Sequence, residues 1–299
     1  MKNQVEFLFF QTLLLFVKLL PTGLIPAVGK LLGMTFYYLG VRKKVVNQNL
    51  KIAFGEQLTD NERKRLSKQT YRHCGIVTFE ILLLRFIPPE KLSNYIEIEG
   101  TEVLNDAIAE GRGVVLAGNH FGNWEMISAA ISTQVAPIHI YAGMQRNDLF
   151  DKALNAIRQK FGTITISKSK TATIEMMKVL KNNQILGMAG DLNVPHNKFF
   201  IDFFGRKAAV GRGLASFTLS RECPLIFLWC VRTGPLKHKG FLSRVDYGVT
   251  GDKNSDLIEI SQALANELEL RIQENPDQYF WLNKRWKTRP DEEEGPGIY

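Results

Sequence analysis

Cysteine is scarce: the 299 residues hold three, Cys74, Cys223 and Cys230, with no Cys-x-x-Cys pair and no zinc-finger spacing. This odd, unpaired set excludes a disulfide framework and a structural metal site. The expected state is three buried, reduced thiols in a cytosol-facing protein, two of them flanking the apolar run Pro224 to Trp229. A Gly-x-Ser-x-Gly elbow is also missing, and no cysteine sits beside a histidine in a polar setting, so no covalent nucleophile is on offer. Internal repeats, low-complexity tracts and long linkers are lacking too. No apolar run is long enough to be a spanning helix. Phe7 to Val17 is uncharged, Lys18 interrupts, and Leu19 to Val28 contains Pro21 and Pro26, whereas a span needs about 18–20 apolar residues. Glu6 weakens the basic start of a secretory signal, and no small-x-small cleavage site follows. Acidic residues are outnumbered, 30 against 38 Lys and Arg, for a formal charge of +8. That balance suits an anionic partner such as nucleic acid, an acidic carrier protein or a phospholipid surface.

What is present organises into one α/β unit behind an apolar start. Residues 1–45 read as a helical hairpin lying in or dipping into a membrane, with Lys18 and Lys30 able to snorkel and Arg42-Lys43-Lys44 as a basic anchor. Residues 46–299 read as the catalytic domain. Thr59 and Glu62 fit a capping box opening a helix through about Phe79. Strand signals lie at 95–99, 113–118, 138–141, 164–166, 185–189, 225–231 and 241–247. Helical periodicity fills 125–132, 149–161, 171–181, 213–221 and 255–274. Such alternation argues a mostly parallel or mixed sheet flanked by helices, with the site where strands end and helices begin. His120 and Asp191 both fall there.

The densest segment is Gly113-Val114-Val115-Leu116-Ala117-Gly118-Asn119-His120-Phe121-Gly122-Asn123-Trp124-Glu125. A buried strand ends by delivering a histidine, and a carboxylate follows five positions on at the mouth of a helix. Residues five apart on a straight helix do not face one another. His120 must therefore lie on the preceding turn, which Gly122 and Asn123 permit, if Glu125 is to fix its tautomer and stabilise the imidazolium. Backbone N–H groups at Gly122 and Asn123 are candidate oxyanion donors. The tail cations Lys284, Arg285, Lys287 and Arg289, interleaved with Trp281 and Trp286, suit lipid headgroups or a carrier protein; no nucleic-acid motif accompanies them.

The run Ala117 to Glu125 resembles the His-x4-Glu motif of the late lipid A biosynthesis acyltransferases, a branch of the lysophospholipid acyltransferase superfamily. The likeness continues through Asn47-Gln48-Asn49-Leu50, Phe54, Arg158 ahead of Phe161-Gly162, Gly190-Asp191, Phe203-Phe204-Gly205, Gly213-Leu214-Ala215 and the tail Trp281 to Pro290. It departs at Leu192, where many relatives have glutamine, and at Val210-Gly211-Arg212, where a threonine-bearing turn is common. The resemblance implies a glycerolipid-acyltransferase-like fold and transfer of a fatty acyl chain from acyl carrier protein to a hydroxyl of a lipid A precursor. The implied catalytic residues are His120 as base and Glu125 as its orienter. Arg158 and Asp191, with Asn119, Gly122 and Asn123, are implied on the substrate side. It also implies no cofactor, and work at the cytoplasmic face of the bacterial inner membrane. Rival readings are acyl transfer to a glycerophospholipid or mannosylated phosphoinositide, a thioesterase in which His120 activates water, and a non-enzymatic basic membrane-binding module.

Overall fold

The computed structural model describes residues 2–143, 147–290 and 298–299. The division at residue 45 includes residues 1, 144–146 and 291–297, which lie outside the described residues. The chain opens with helices α1 (Lys2–Leu19), α2 (Ile25–Tyr38), α3 (Lys43–Phe54) and α4 (Asp60–Leu84). It then alternates through β1 (Ile96–Glu99), α5 (Thr101–Ala109), β2 (Val114–Gly118), α6 (Trp124–Gln134), β3 (Ile138–Ala142), α7 (Asp148–Lys160), β4 (Ile164–Ser167), α8 (Ala172–Lys181) and β5 (Ile185–Ala189). It closes with β6 (Lys198–Phe203), β7 (Arg206–Gly211), α9 (Gly213–Arg221), β8 (Leu225–Gly234), β9 (Lys237–Arg244) and α10 (Lys253–Glu274).

Seven strands form one sheet in the order β1-β9-β8-β2-β5-β3-β4. All neighbours run parallel except the β8–β9 hairpin. The mostly parallel sheet flanked by helices expected from the sequence is therefore present. Strand β2 shows why both faces are covered: Val114 and Leu116 belong to one apolar core, while Val115 and Ala117 belong to the other. Side chains alternate across a strand, so an unbroken apolar run fills both layers. Helices α6 and α7 pack on the first face, and α8, α9 and α10 on the second.

Thr59 and Glu62 make the expected capping box, Glu62 N–H donating to Thr59 Oγ1 at 3.3 Å and Thr59 N–H to Glu62 Oε2 at 2.8 Å. Helices α2 and α4 cross closely because Gly33 sits against the Tyr71 carbonyl, where a Cβ would come within 1.9 Å of the oxygen. Helix α1 and the α2 segment meet at a 119° bend around Pro21, and no single helix among the described residues is long and apolar enough to cross a membrane. Phe10, Leu14, Val17 and Ile25 pack into the core, while Leu8, Leu15, Leu19, Leu31, Tyr38 and Leu39 are more than half exposed.

The antiparallel β6–β7 hairpin lies where no local strand signal falls; its two-residue turn, Phe204-Gly205, has φ of +52° and +66°. A bulky residue holds the position where Asn, Asp or Gly would have signalled the turn. Strand β9 starts and ends earlier than 241–247, because pairing with β8 sets its register. The tail is only partly a surface: Trp281 and Trp286 are fully buried and Arg285 is 2% exposed, while Lys287 is exposed and Lys284 and Arg289 are partly so. Asn49 Nδ2 on α3 stitches it in, donating to the carbonyls of Trp281 at 2.7 Å and Asn283 at 2.6 Å.

Candidate active site

Strands β2 and β5 are parallel neighbours in the register Gly118 to Ala189. His120 and Asp191 each lie two residues beyond those partners, so the two strand ends present them side by side. His120 Nδ1 lies 2.9 Å from Asp191 Oδ1, and His120 N–H donates to Oδ2 at 2.9 Å. Asp191 is 3% exposed. Burial pushes its carboxyl up, but His120 and the more distant Arg285 outweigh that and hold it below the usual value. Burial pushes His120 down, yet Asp191, aided by Glu125, raises it above the ordinary 6.5. A carboxylate partner assigns the proton to Nδ1, leaving the Nε2 lone pair as the basic position.

The hydrogen bond expected from Glu125 is thus made by Asp191. Asn123 caps α6, its Oδ1 accepting from Met126 N–H at 3.0 Å, and the helix carries Glu125 toward α7. There Arg158 grips it with two parallel bonds, Nε to Oε2 at 2.9 Å and Nη2 to Oε1 at 2.5 Å. The side chains are 13% and 9% exposed. Arg158 is held above its ordinary value: burial lowers it, and Glu125 more than compensates. It is neither a solvated basic face nor an unpaired anion site.

The other sequence candidates are brought to the same turn, and most of their polar groups are engaged there. Gly122 N–H donates to the Gln278 carbonyl at 2.9 Å, so it is not available as an oxyanion donor. The Asn123 backbone N–H faces the Cys230 thiol, and its amide side chain is fully buried. Asn119 Nδ2 donates to the Leu228 carbonyl at 2.7 Å, tying the end of β2 to β8, while its buried Oδ1 has no protein partner. Gly122 has φ of +60°, and a Cβ there would sit 1.6 Å from the Cys230 carbonyl oxygen. Only glycine fits this turn.

His120, Glu125 and Arg158 line a cavity of about 400 Å³ whose walls are otherwise largely apolar, including Leu116, Ile127, Ile138, Ile140, Met188 and Leu228. Trp124 stands beside the imidazole with ring centroids 5.0 Å apart, and Phe280 lies 6.2 Å from it. Phe280 N–H also donates to the His120 carbonyl at 3.0 Å. Phe280, like the Arg285 charge near Asp191, escaped the sequence reading because it arrives from more than 150 residues away, with no local pattern to announce it. Leu192, the departure noted above, lines the same cavity. Cys230 does too, but burial pushes its thiol up to about 12, which removes it as a thiolate nucleophile. A partly buried base opening on a largely apolar cavity can deprotonate a hydroxyl beside a long apolar group.

The chain is 27% identical over 279 residues to the lipid A biosynthesis lauroyltransferase of Escherichia coli (strain K12), covering 91% of this chain and 88% of that protein. It is 23% identical over 277 residues to the lipid A biosynthesis palmitoleoyltransferase of the same organism, covering 91% and 87%. A phosphatidylinositol mannoside acyltransferase of Mycobacterium tuberculosis (strain ATCC 25618 / H37Rv) is 24% identical over 212 residues, 69% of this chain and 66% of that protein. Residues 3–288 match the family described as bacterial lipid A biosynthesis acyltransferase, and a match of that extent makes this chain an acyltransferase belonging to that family.

Proposed function

We propose that the protein transfers a fatty acyl chain from an acyl carrier protein thioester to a hydroxyl of a lipid A precursor, with His120 as general base and Asp191 as its orienter. The observation that carries this reading is the 2.9 Å contact of His120 Nδ1 with Asp191 at the edge of the apolar cavity. As the acceptor oxygen attacks the thioester carbonyl, its proton passes to His120 Nε2. The new C–O bond forms, the C–S bond then breaks, and the leaving thiolate takes the proton back from the imidazolium. The products are an ester and a free thiol. Asp191 stabilises the transient imidazolium. The cavity holds the acyl chain, where each buried methylene contributes about 0.8 kcal/mol. Leu192 and Met188 then bear on chain length, and the Glu125–Arg158 pair shapes the polar end of the wall. Asn119, Gly122 and Asn123 act by building the turn.

The exposed leucines of α1 and α2, with the basic segment Arg42-Lys43-Lys44, support residues 1–45 as the membrane-associating part, at the cytoplasmic face of the bacterial inner membrane. The charge of +8 suits both anionic lipid and an acidic carrier. The mannoside acyltransferase relative favours one second reading, a mannosylated phosphoinositide acceptor. Purified full-length protein and acyl carrier protein bearing a labelled acyl group decide between them. Label is expected in a lipid A precursor. Label in the phosphoinositide alone would support the second reading, and label released only as free fatty acid would sink both.

A further inference from the structure

Glu80, on α4, is fully buried and lines none of the cavity beside His120. Arg232 on β8 nevertheless donates to its carboxylate through both terminal nitrogens, one to each oxygen, the Nη2 bond at 2.5 Å. His238 on β9 places Nε2 3.2 Å away, and Asn123 donates Nδ2 at 2.9 Å. Asn123 also caps α6, so the residue three beyond His120 is gripped at both ends of its amide. A second path returns from Arg232. Its backbone N–H donates to Gln278 Oε1 at 2.7 Å, and Gln278 Nε2 donates to its carbonyl at 3.2 Å. The Gln278 carbonyl accepts from Gly122 N–H at 2.9 Å, while Gly122 O faces His73 Nε2 at 3.4 Å. The bonds close a ring: Glu80, Asn123, Gly122, Gln278, Arg232 and Glu80 again.

We propose that Glu80 is a positioning residue for the acyl transfer: its carboxylate, through Asn123 and Arg232, holds the 119–125 turn so that the His120 ring stays against Asp191. The proposal rests on the His120–Asp191 reading given above. Folding alone does not call for this arrangement, since a buried ion pair replaced by apolar residues of similar size is often neutral or stabilising. What the ion pair adds is direction, because its bonds run to the catalytic turn and to Gln278, which pins that turn. The other ionisable groups around it are His238, His73, Cys230 and Asp277, the last acting on Arg232. His73 is held near 3 by burial and by Arg232 and stays neutral.

The test uses full-length protein in two forms, Glu80→Gln and the double variant Glu80→Met with Arg232→Met, which removes both charges together. The double variant should melt near the wild-type temperature while kcat falls about 10–100-fold, the loss expected from a misplacement of about 1 Å. The KM for donor and acceptor should stay within about two-fold of wild type, since no substrate contact is removed. The acidic limb of the kcat/KM profile should move to lower pH, because a His120 that loses Asp191 loses the partner that raises its proton affinity. Glu80→Gln keeps an acceptor oxygen and should fall between the two. Imidazole NMR of His120 reads the same shift without substrate, in Glu80→Gln if the double variant does not fold. A folded variant with wild-type kcat, or with an unmoved His120 titration, overturns the proposal. Failure of the underlying reading shows separately, as wild-type transfer that survives His120→Ala.

Discussion

At His120 one hydrogen bond decides the chemistry. With Nδ1 given to Asp191, the base is Nε2, and general-base action is typically worth about 10²–10⁴-fold. His120→Ala should lower kcat by that order while the protein remains folded, measured as labelled acyl transfer. Asp191→Asn should lose a comparable amount, and the double variant should be little worse than either single, because the two act as one unit. Full additivity would argue against the pairing. The pH dependence follows from direction alone. His120 is raised above 6.5, so kcat/KM should climb with pH through that raised value and then level; Asp191→Asn should move the climb to lower pH. Stability carries the opposite sign for the two partners. The raised histidine stabilises below its unfolded value and loses that contribution as pH rises through its folded one. The depressed aspartate stabilises above its unfolded value and loses it as pH falls through its folded one. Melting temperatures of wild type and Asp191→Asn should therefore differ most in mildly acidic buffer, and the gap should narrow as pH falls through the folded value of Asp191 or rises through that of His120. At Arg158 a simple anion ligand would affect affinity alone. Paired with a 9% exposed Glu125 side chain, Arg158→Ala strands a buried carboxylate and should cost about 3–5 kcal/mol of stability as well as activity. Chemical denaturation would show it, and an unchanged midpoint would show that the pair is not buried in solution.

The catalytic turn is shaped at the level of elements by β2, β5, α6 and the tail. Parallel register aligns two strand ends, the α6 cap fixes where the helix starts, and residues 278–280 pin the turn from behind. Gly122 is where these demands meet. Gly122→Ala would force a Cβ to within 1.6 Å of the Cys230 carbonyl at φ of +60°, so a loss of at least about 3 kcal/mol is expected. The measurement is the melting temperature beside that of Gly205→Ala, at a turn with a similar φ of +66° and open space around it, which should lose markedly less. Equal losses at both sites would mean that backbone conformation, rather than the approach of β8, makes glycine necessary.

Over the whole molecule, apolar exposure is concentrated on α1 and α2 and the turn that follows, although other faces of the same helices pack into the core. Moving a leucine from water to an apolar phase is worth about 1.5–3 kcal/mol. Replacing Leu19, Leu31 and Leu39 with serine should cut flotation with phospholipid vesicles at least about 100-fold at high salt, where cation–headgroup attraction is screened. These side chains are 74%, 68% and 71% exposed, so the melting temperature should hardly change. Vesicle binding that persists in the triple variant would remove these helices as the membrane contact.

Much of this protein can be read in the chain itself. Strand and helix alternation, the unbroken apolar run of β2, the Thr59–Glu62 cap and the histidine after Gly118-Asn119 follow from local patterns. Local patterns are set by residues within a few positions of one another, which is the range over which periodicity and capping act. Position at strand ends already marked His120 and Asp191 as neighbours of a common site. Their pairing required the β2–β5 register, and a register is a contact between segments some 70 residues apart. Separation in sequence likewise hid the Arg158 grip on Glu125, the Phe280 ring beside His120 and the buried Glu80 that closes a ring behind the turn. The tail shows the limit most plainly. Cations interleaved with tryptophans fit a surface by composition, yet packing against α3 and the β6–β7 hairpin buries both tryptophans and Arg285 and leaves Lys287 exposed, because composition says which groups need partners and only the tertiary structure says whether those partners are water, lipid or the protein's own core.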